Sequence, residues 1–203
     1  MWVLKIGGSL AGDAALRDWL LAVCAPRSPI RVVVPGGGPF ADAVREAQCH
    51  AGFDDGIAHR MALLAMAQYG WQLHGLEPRL VPAPGIPALR AALARGARAL
   101  WLPREDELDE APLPRSWDLS SDSLALWLAR ALGAAGVALV KSIPPSGERP
   151  HHAAALAAAG YVDPCFPGLL GGADLRACWF ARGEAATLRG FDGEPAAPRR
   201  ILP

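Results

Sequence analysis

A chain of 203 residues, 52% of them hydrophobic, is long enough for one large α/β domain with a buried core. Twenty basic residues balance twenty acidic ones, so there is no global basic field to collect nucleic acid or anionic lipid, and any anion must be bound locally. The four cysteines show no CxxC or Cys/His spacing, no apolar run approaches the roughly 20 residues that span a bilayer, and the first residues do not resemble a signal peptide. The expectation is a cytoplasmic protein with free thiols, organised as a single domain over 1–203, with no membrane or nucleic-acid partner.

In chain order, Trp2–Ile6 reads as a strand, Asp13–Val23 as an amphipathic helix and Ile30–Val34 as a second buried strand. Pro39–Cys49 and Ile57–Leu76 carry helical patterns, and a strand is predicted near Arg79–Val81. Pro87–Arg95 reads as a helix with proline in its first turn, and Ala99–Leu102 as a strand. The acidic, proline-bounded loop 103–114 suits either a lid or a solvated connection. Ser121–Leu132 reads as a helix stopped by Gly133, Val137–Val140 as a strand, His152–Ala159 as a helix and Ala177–Ala181 as a strand. Strands alternating with helices predict a three-layer α/β/α sandwich around a mainly parallel sheet, with ligands at the carboxyl ends of the strands.

Lysine is scarce: Lys5 and Lys141 stand against eighteen arginines. Each ends a short apolar run and opens a small-residue turn, a position where a compact ammonium beside backbone N–H donors suits a phosphate. Lys5 leads into Ile6-Gly7-Gly8-Ser9, and the second strand leads through Pro35 into Gly36-Gly37-Gly38 at a helix start. Successive glycines let N–H groups approach an anion, and the following helix adds its positive end. Neither loop matches GxxxxGK[ST] or GxGxxG. Taken singly, a triple glycine also fits a tight strand-to-helix turn; two such loops on early strands, one beside a lysine, are more specific. The third segment is Asp118-Leu119-Ser120-Ser121-Asp122. Here Ser120 or Ser121 can cap a helix with Asp122 in its first turn, or Asp122 can face the glycine loops and orient the lysines while Asp118 faces a second substrate.

Together these segments resemble the amino-acid kinase superfamily of acetylglutamate, aspartate, uridylate and isopentenyl phosphate kinases. The likeness runs through Lys5-Ile6-Gly7-Gly8-Ser9, Val34 to Gly38, Asp118 to Asp122 and Lys141-Ser142. It implies that Lys5 contacts the transferred phosphoryl group, that Gly7, Gly8, Ser9, Gly36, Gly37, Gly38 and Ser142 bind phosphates or nucleotide, and that Asp122 orients the lysines. The run Phe53-Asp54-Asp55-Gly56-Ile57-Ala58-His59-Arg60-Met61-Ala62, with Val140-Lys141-Ser142, resembles a small branch, the kinases of methanofuran biosynthesis that convert an aminomethyl-furanyl-methyl phosphate to its diphosphate.

Two departures stand out. Most members have Thr-Asp or Ser-Asp where this chain has Lys141-Ser142, and the late family lysine has no counterpart, because no lysine follows Lys141. Either Lys141 supplies that charge, or an arginine does, or the reaction tolerates the loss. The resemblance implies in-line transfer of the ATP γ-phosphoryl to a small phosphorylated acceptor, with Lys5 and Lys141 as counter-charges, Mg²⁺ carried on the nucleotide phosphates and no protein metal site. His59 and Arg60 are candidates for the acceptor phosphate, Asp118 for an acceptor amine, and Met61–Leu76 for a helix that pairs across a homo-oligomer. His151 and His152, after Pro150, read as solvent-facing. A catalytically silent nucleotide- or oxyanion-binding protein of the same fold is the competing reading.

Overall fold

The computed structural model describes residues 1–145, 151–172, 174–194 and 199–203. The first half runs β1 (Trp2–Ile6), α1 (Ala15–Val23), β2 (Ile30–Pro35), α2 (Gly38–Ala51), α3 (Asp55–Leu76), β3 (Leu80–Pro84), α4 (Gly85–Ala94) and β4 (Arg98–Leu102). The second half runs α5 (Ser121–Ala131), β5 (Gly136–Lys141), β6 (His151–His152), α6 (Ala153–Ala158), α7 (Phe166–Gly171), β7 (Arg176–Ala181), α8 (Ala185–Leu188) and β8 (Arg200–Leu202). Among the described residues the strands form one sheet in the order β3-β4-β2-β1-β5-β7-β8-β6, parallel throughout except where β8 pairs antiparallel with β7.

The expected α/β sandwich is therefore present, and its local causes are visible. β1 is buried at all five positions, as a central parallel strand covered on both faces must be. Its side chains alternate. Val3 joins a core with Val137, Leu139 and the α5 residues Leu124 and Leu128, whereas Leu4 and Ile6 join a second core with Trp19 and Leu20 of α1 and Phe180 of β7. Helix α3 serves both cores, Leu63 and Met66 in the first and Tyr69 and Leu73 in the second.

Several boundaries move. The third strand lies at Leu80–Pro84, not Arg79–Val81, because Val81 to Pro84 pair with Ala99 to Leu102 of β4 despite two prolines; an edge strand tolerates proline, whose missing N–H faces outward. Asp54 caps α3, its carboxylate accepting the Ile57 N–H at 3.0 Å, so the helix begins at Asp55, ahead of Ile57. His151 is buried at 5% exposure, with its ring 5.9 Å from Trp179, which corrects the solvent-facing expectation. The short β6 strand draws it into the sheet; His152 is exposed, and Pro150 lies outside the described residues. The elements α7, α8 and β8 carry no clear sequence pattern.

Candidate active site

Strand register brings the two lysines to one place. Lys5 pairs with Leu139, so Lys141 lies two residues further along β5 and on the same face, the face that carries Val3, Val137 and Leu139 towards α5. The first turn of α5 meets them there. Asp122 Oδ1 is 2.9 Å from Lys5 Nζ, and Asp122 Oδ2 accepts from Lys141 Nζ at 2.6 Å. Lys141 also donates to the Tyr161 carbonyl. Asp122 is only 4% exposed and Lys5 only 7%. Burial pushes the Asp122 carboxyl up, but the two ammonium groups more than offset that and hold it below its ordinary value. Burial, and then the charge of Lys5, push Lys141 down against the pull of Asp122. Two cations sharing one buried carboxylate leave excess positive charge beside the cavity that Lys5 and Lys141 line, an arrangement that suits a polyphosphate.

The glycine loops interlock. A Cβ on Gly8 would sit 2.2 Å from Gly38 N, and one on Gly36 would sit 2.4 Å from Gly8 N, so neither position accommodates any side chain. Gly38 has φ +56 and opens α2. Gly36 is spent on this packing: it is buried and its N–H donates to the Ile6 carbonyl at 2.8 Å.

Two cavities open on either side of Gly8 and Ser9, which line both. One, of about 390 Å³, is walled by Lys5, Gly7, Lys141, Ser142, Ile143 and Tyr161. The other, of about 320 Å³, lies between α2, α3 and α5; Gly37, Gly38, Asp42, Arg45, His59 and Trp117 contribute to it, over an apolar wall that includes Leu63 and Met66. His59 is 6% exposed, and its Nε2 has no hydrogen-bond partner among the described residues. Burial first, then the charges of Arg115 and Arg60, push its pKa down, so the ring is neutral near pH 7. Arg45 pairs with Asp42 at 3.1 Å and lies 4.2 Å above the Trp117 ring, whose Nε1 donates to Gln48.

Lys5, Gly7, Gly8, Ser9, Lys141, Ser142 and Asp122 thus come together, and Gly37, Gly38 and His59 face the adjoining cavity. Three expected residues do not join them. Gly36 lines neither cavity. Arg60 turns to the loop 103–114, forming a bidentate pair with Asp109 at 2.8 and 2.9 Å and donating to the Glu105 carbonyl. Asp118 is exposed and lines neither cavity; α5 is capped by Ser120, one of the two serines expected, its Oγ accepting from Asp122 N at 3.5 Å. The loop itself is anchored a second time by half-buried Glu107, which accepts from Ile86 N and Trp101 Nε1.

Sequence reasoning missed Arg45, whose helical register towards the cavity had no independent signal, and missed Asp163. The Asp163 carboxylate is buried. It accepts from Ser120 N at 3.1 Å, Ser120 Oγ at 2.8 Å, Ser123 N at 3.0 Å, Cys165 N at 3.1 Å and the Ser123 hydroxyl. An Asp-Pro pair in a loop reads only as a turn.

No family model matches the chain. Over 133 residues it is 28% identical to the (5-(aminomethyl)furan-3-yl)methyl phosphate kinase of Methanocaldococcus jannaschii, a match covering 65% of this chain and 61% of that relative. Among solved structures, uridylate kinase from Archaeoglobus fulgidus superposes with a TM-score of 0.73 at 13% identity, covering 99% of this chain and 98% of the other. UMP kinase from Ureaplasma parvum follows at 0.67 and 12% identity, covering 100% and 98%; aspartate kinase from Synechocystis gives 0.62 at 16% identity, covering all of this chain and 40% of its own. The chain therefore shares the fold of these uridylate, UMP and aspartate kinases.

Proposed function

We propose that this protein is an ATP-dependent kinase that transfers the γ-phosphoryl group to a small phosphorylated acceptor. The observation that carries the reading is the pair of cavities meeting at Gly8 and Ser9, with Lys5, Lys141 and Asp122 beside one of them. ATP occupies the lysine-side cavity, where two ammonium groups and the Gly7–Gly8 backbone suit a polyphosphate. Mg²⁺ enters on the nucleotide phosphates. The acceptor occupies the cavity of His59, Arg45 and Trp117, and its phosphate oxygen attacks the γ-phosphorus in line as the bond to the β,γ-bridging oxygen breaks and ADP leaves. A phosphate monoester with a second pKa near 6 is largely ionised at neutral pH, so this nucleophile needs no general base. Lys5 and Lys141 neutralise the transferring group, and their preorganisation by Asp122 is the source of the electrostatic stabilisation.

The acceptor class is narrowed by the cavity wall and by the relative's name. Trp117 and the apolar surface of Leu63 and Met66 suit a small ring, His59 and Arg45 suit its phosphate, and Asp42 replaces Asp118 as the carboxylate available to an amine. A molecule of the (aminomethyl)furanylmethyl phosphate type combines these groups. Coupled ADP release with that phosphate, isopentenyl phosphate and UMP tests the reading: turnover with the furan phosphate supports it, good turnover with either of the others moves the acceptor assignment, and no ATP consumption with any leaves a binding protein. The homo-oligomer belongs to the same reading. Ile57, Leu64 and Trp71 of α3, spaced by seven and 47%, 45% and 55% exposed, form an apolar stripe suited to pairing with a second copy.

A further inference from the structure

The lysine–aspartate centre needs something to hold its geometry, because two long ammonium side chains and one helix-borne carboxylate come from three different elements. We propose that the turn Tyr161–Asp163 is a positioning device that sets both sides of this centre at once: the Asp163 carboxylate fixes the first turn of α5, and with it Asp122, while the Tyr161 carbonyl fixes Lys141.

The hydrogen bonds bracket Asp122. Asp163 Oδ2 accepts from the backbone N–H groups of Ser120 and Ser123, on either side of Asp122, so the carboxylate takes two of the unpaired donors at the helix start and prevents the turn from sliding. The Ser120 and Ser123 hydroxyls add two more donors to the same group. Cys165 N bridges Asp163 Oδ1 at 3.1 Å and the Asp118 carbonyl at 3.3 Å, tying the approach to α5 to the same turn. On the other side, Gly160, at φ +72, closes α6, with its N–H on the Ala157 carbonyl and the Tyr161 N–H on the Leu156 carbonyl. That C-terminal motif delivers the Tyr161 carbonyl to Lys141 Nζ. One three-residue turn therefore carries a hydrogen bond to the cation and a clamp on the anion. Asp163 touches neither cavity, so it acts through Asp122 and Lys141, not on substrate.

The chain offers an unusually direct test, since Lys5 and Lys141 are its only lysines. Protein labelled with [ε-13C]lysine gives two sets of side-chain signals, one assigned by Lys5→Arg, and their titration is read without any acceptor. The charged groups facing Lys141 are Lys5 from β1, Asp122 from α5 and Asp163 from the turn. Asp163→Asn removes an anion and loosens another, so the Lys141 midpoint shifts down, and in the ADP-release assay kcat falls towards the 10²-fold loss typical of misplaced catalytic groups with KM for ATP changed much less. Asp163→Glu keeps the charge but displaces it: it lowers kcat while shifting the Lys141 midpoint down by less than Asp163→Asn does. A folded Asp163→Asn protein whose Lys141 midpoint is unchanged overturns the proposal, as does an Asp163→Glu protein with wild-type kcat. If Asp163→Asn does not fold, Ser123→Ala, which removes one hydroxyl donor to Asp163, takes its place: a lowered Lys141 midpoint supports the clamp and an unchanged one overturns it. The proposal rests on the kinase reading only for the kinetic arm. If no acceptor is turned over by wild-type protein, that reading fails while the titrations still decide the clamp.

Discussion

Lys141 Nζ stands 2.6 Å from Asp122 Oδ2, while the other oxygen of the same carboxylate is 2.9 Å from Lys5 Nζ. The β5 lysine therefore brings a second cation to the centre in a chain that has no later lysine. If both cations act on charge that develops in transfer, Lys5→Ala lowers kcat by about 10²-fold or more, with KM for ATP affected less. Steady-state ADP release checks this; near-wild-type turnover removes Lys5 from the mechanism.

Replacing Asp122 by Asn separates counter-ion from helix cap. Ser120 already caps α5, so the substitution removes charge and leaves two buried ammonium groups without their partner. Both activity and thermal stability fall. The loss of Tm is larger at pH 7 than at alkaline pH, because Lys141, whose pKa is lowered, gives up its charge as pH rises and the repulsion relaxes. Calorimetry at the two pH values reads the difference, and an equal loss at both contradicts the electrostatic account.

The same lowered pKa predicts the alkaline limb of the rate profile. In the proposed mechanism Lys141 must be protonated to neutralise phosphate charge, and burial and Lys5 hold its pKa below 10.5, the ordinary value. Activity therefore declines as pH rises through a midpoint lower than that of a free lysine. His59 acts in the opposite sense on binding: it is neutral near pH 7, so lowering the pH towards and below its depressed pKa charges it and reduces KM for a phosphorylated acceptor, an effect lost in His59→Gln.

Gly8→Ala tests the interlock of the glycine loops. Its Cβ would meet Gly38 N at 2.2 Å, backbone against backbone, with no flexible side chain to yield. The expected cost is about 1–3 kcal/mol of stability, with both cavities distorted. Denaturant melts, with activity measured on the folded fraction, read both. Gly52→Ala, at φ +71 with open space around it, provides a control that strains the backbone without disturbing the loops.

Arg60→Ala distinguishes a binding residue from a loop anchor. Arg60 pairs with Asp109, and both side chains are about one-third exposed, so its removal costs no more than about 1 kcal/mol. The KM for the acceptor changes little, whereas limited proteolysis within residues 103–114 accelerates. A large rise in KM with unaltered proteolysis restores Arg60 to the acceptor site.

Sequence alone determined the parts of this protein whose cause is local or periodic. Alternating apolar strands and helical stretches set the parallel α/β architecture, the two glycine runs marked tight strand-to-helix turns open to an anion, and two isolated lysines stood out at strand ends. What tertiary structure decided was partnership. Strand register made Lys141 a neighbour of Lys5, because residues two apart share a face and β1 pairs with β5 only after the chain has crossed from one to the other. Gly36 became packing against Gly8, Arg60 an anchor for the loop through Asp109 and Asp118 a surface residue, outcomes set by contacts between segments far apart in the chain. Asp163 was invisible for a related reason: a single carboxylate in a turn carries no pattern, and its meaning comes entirely from Ser120 and Ser123, forty residues away in the chain and within hydrogen-bond reach in the fold.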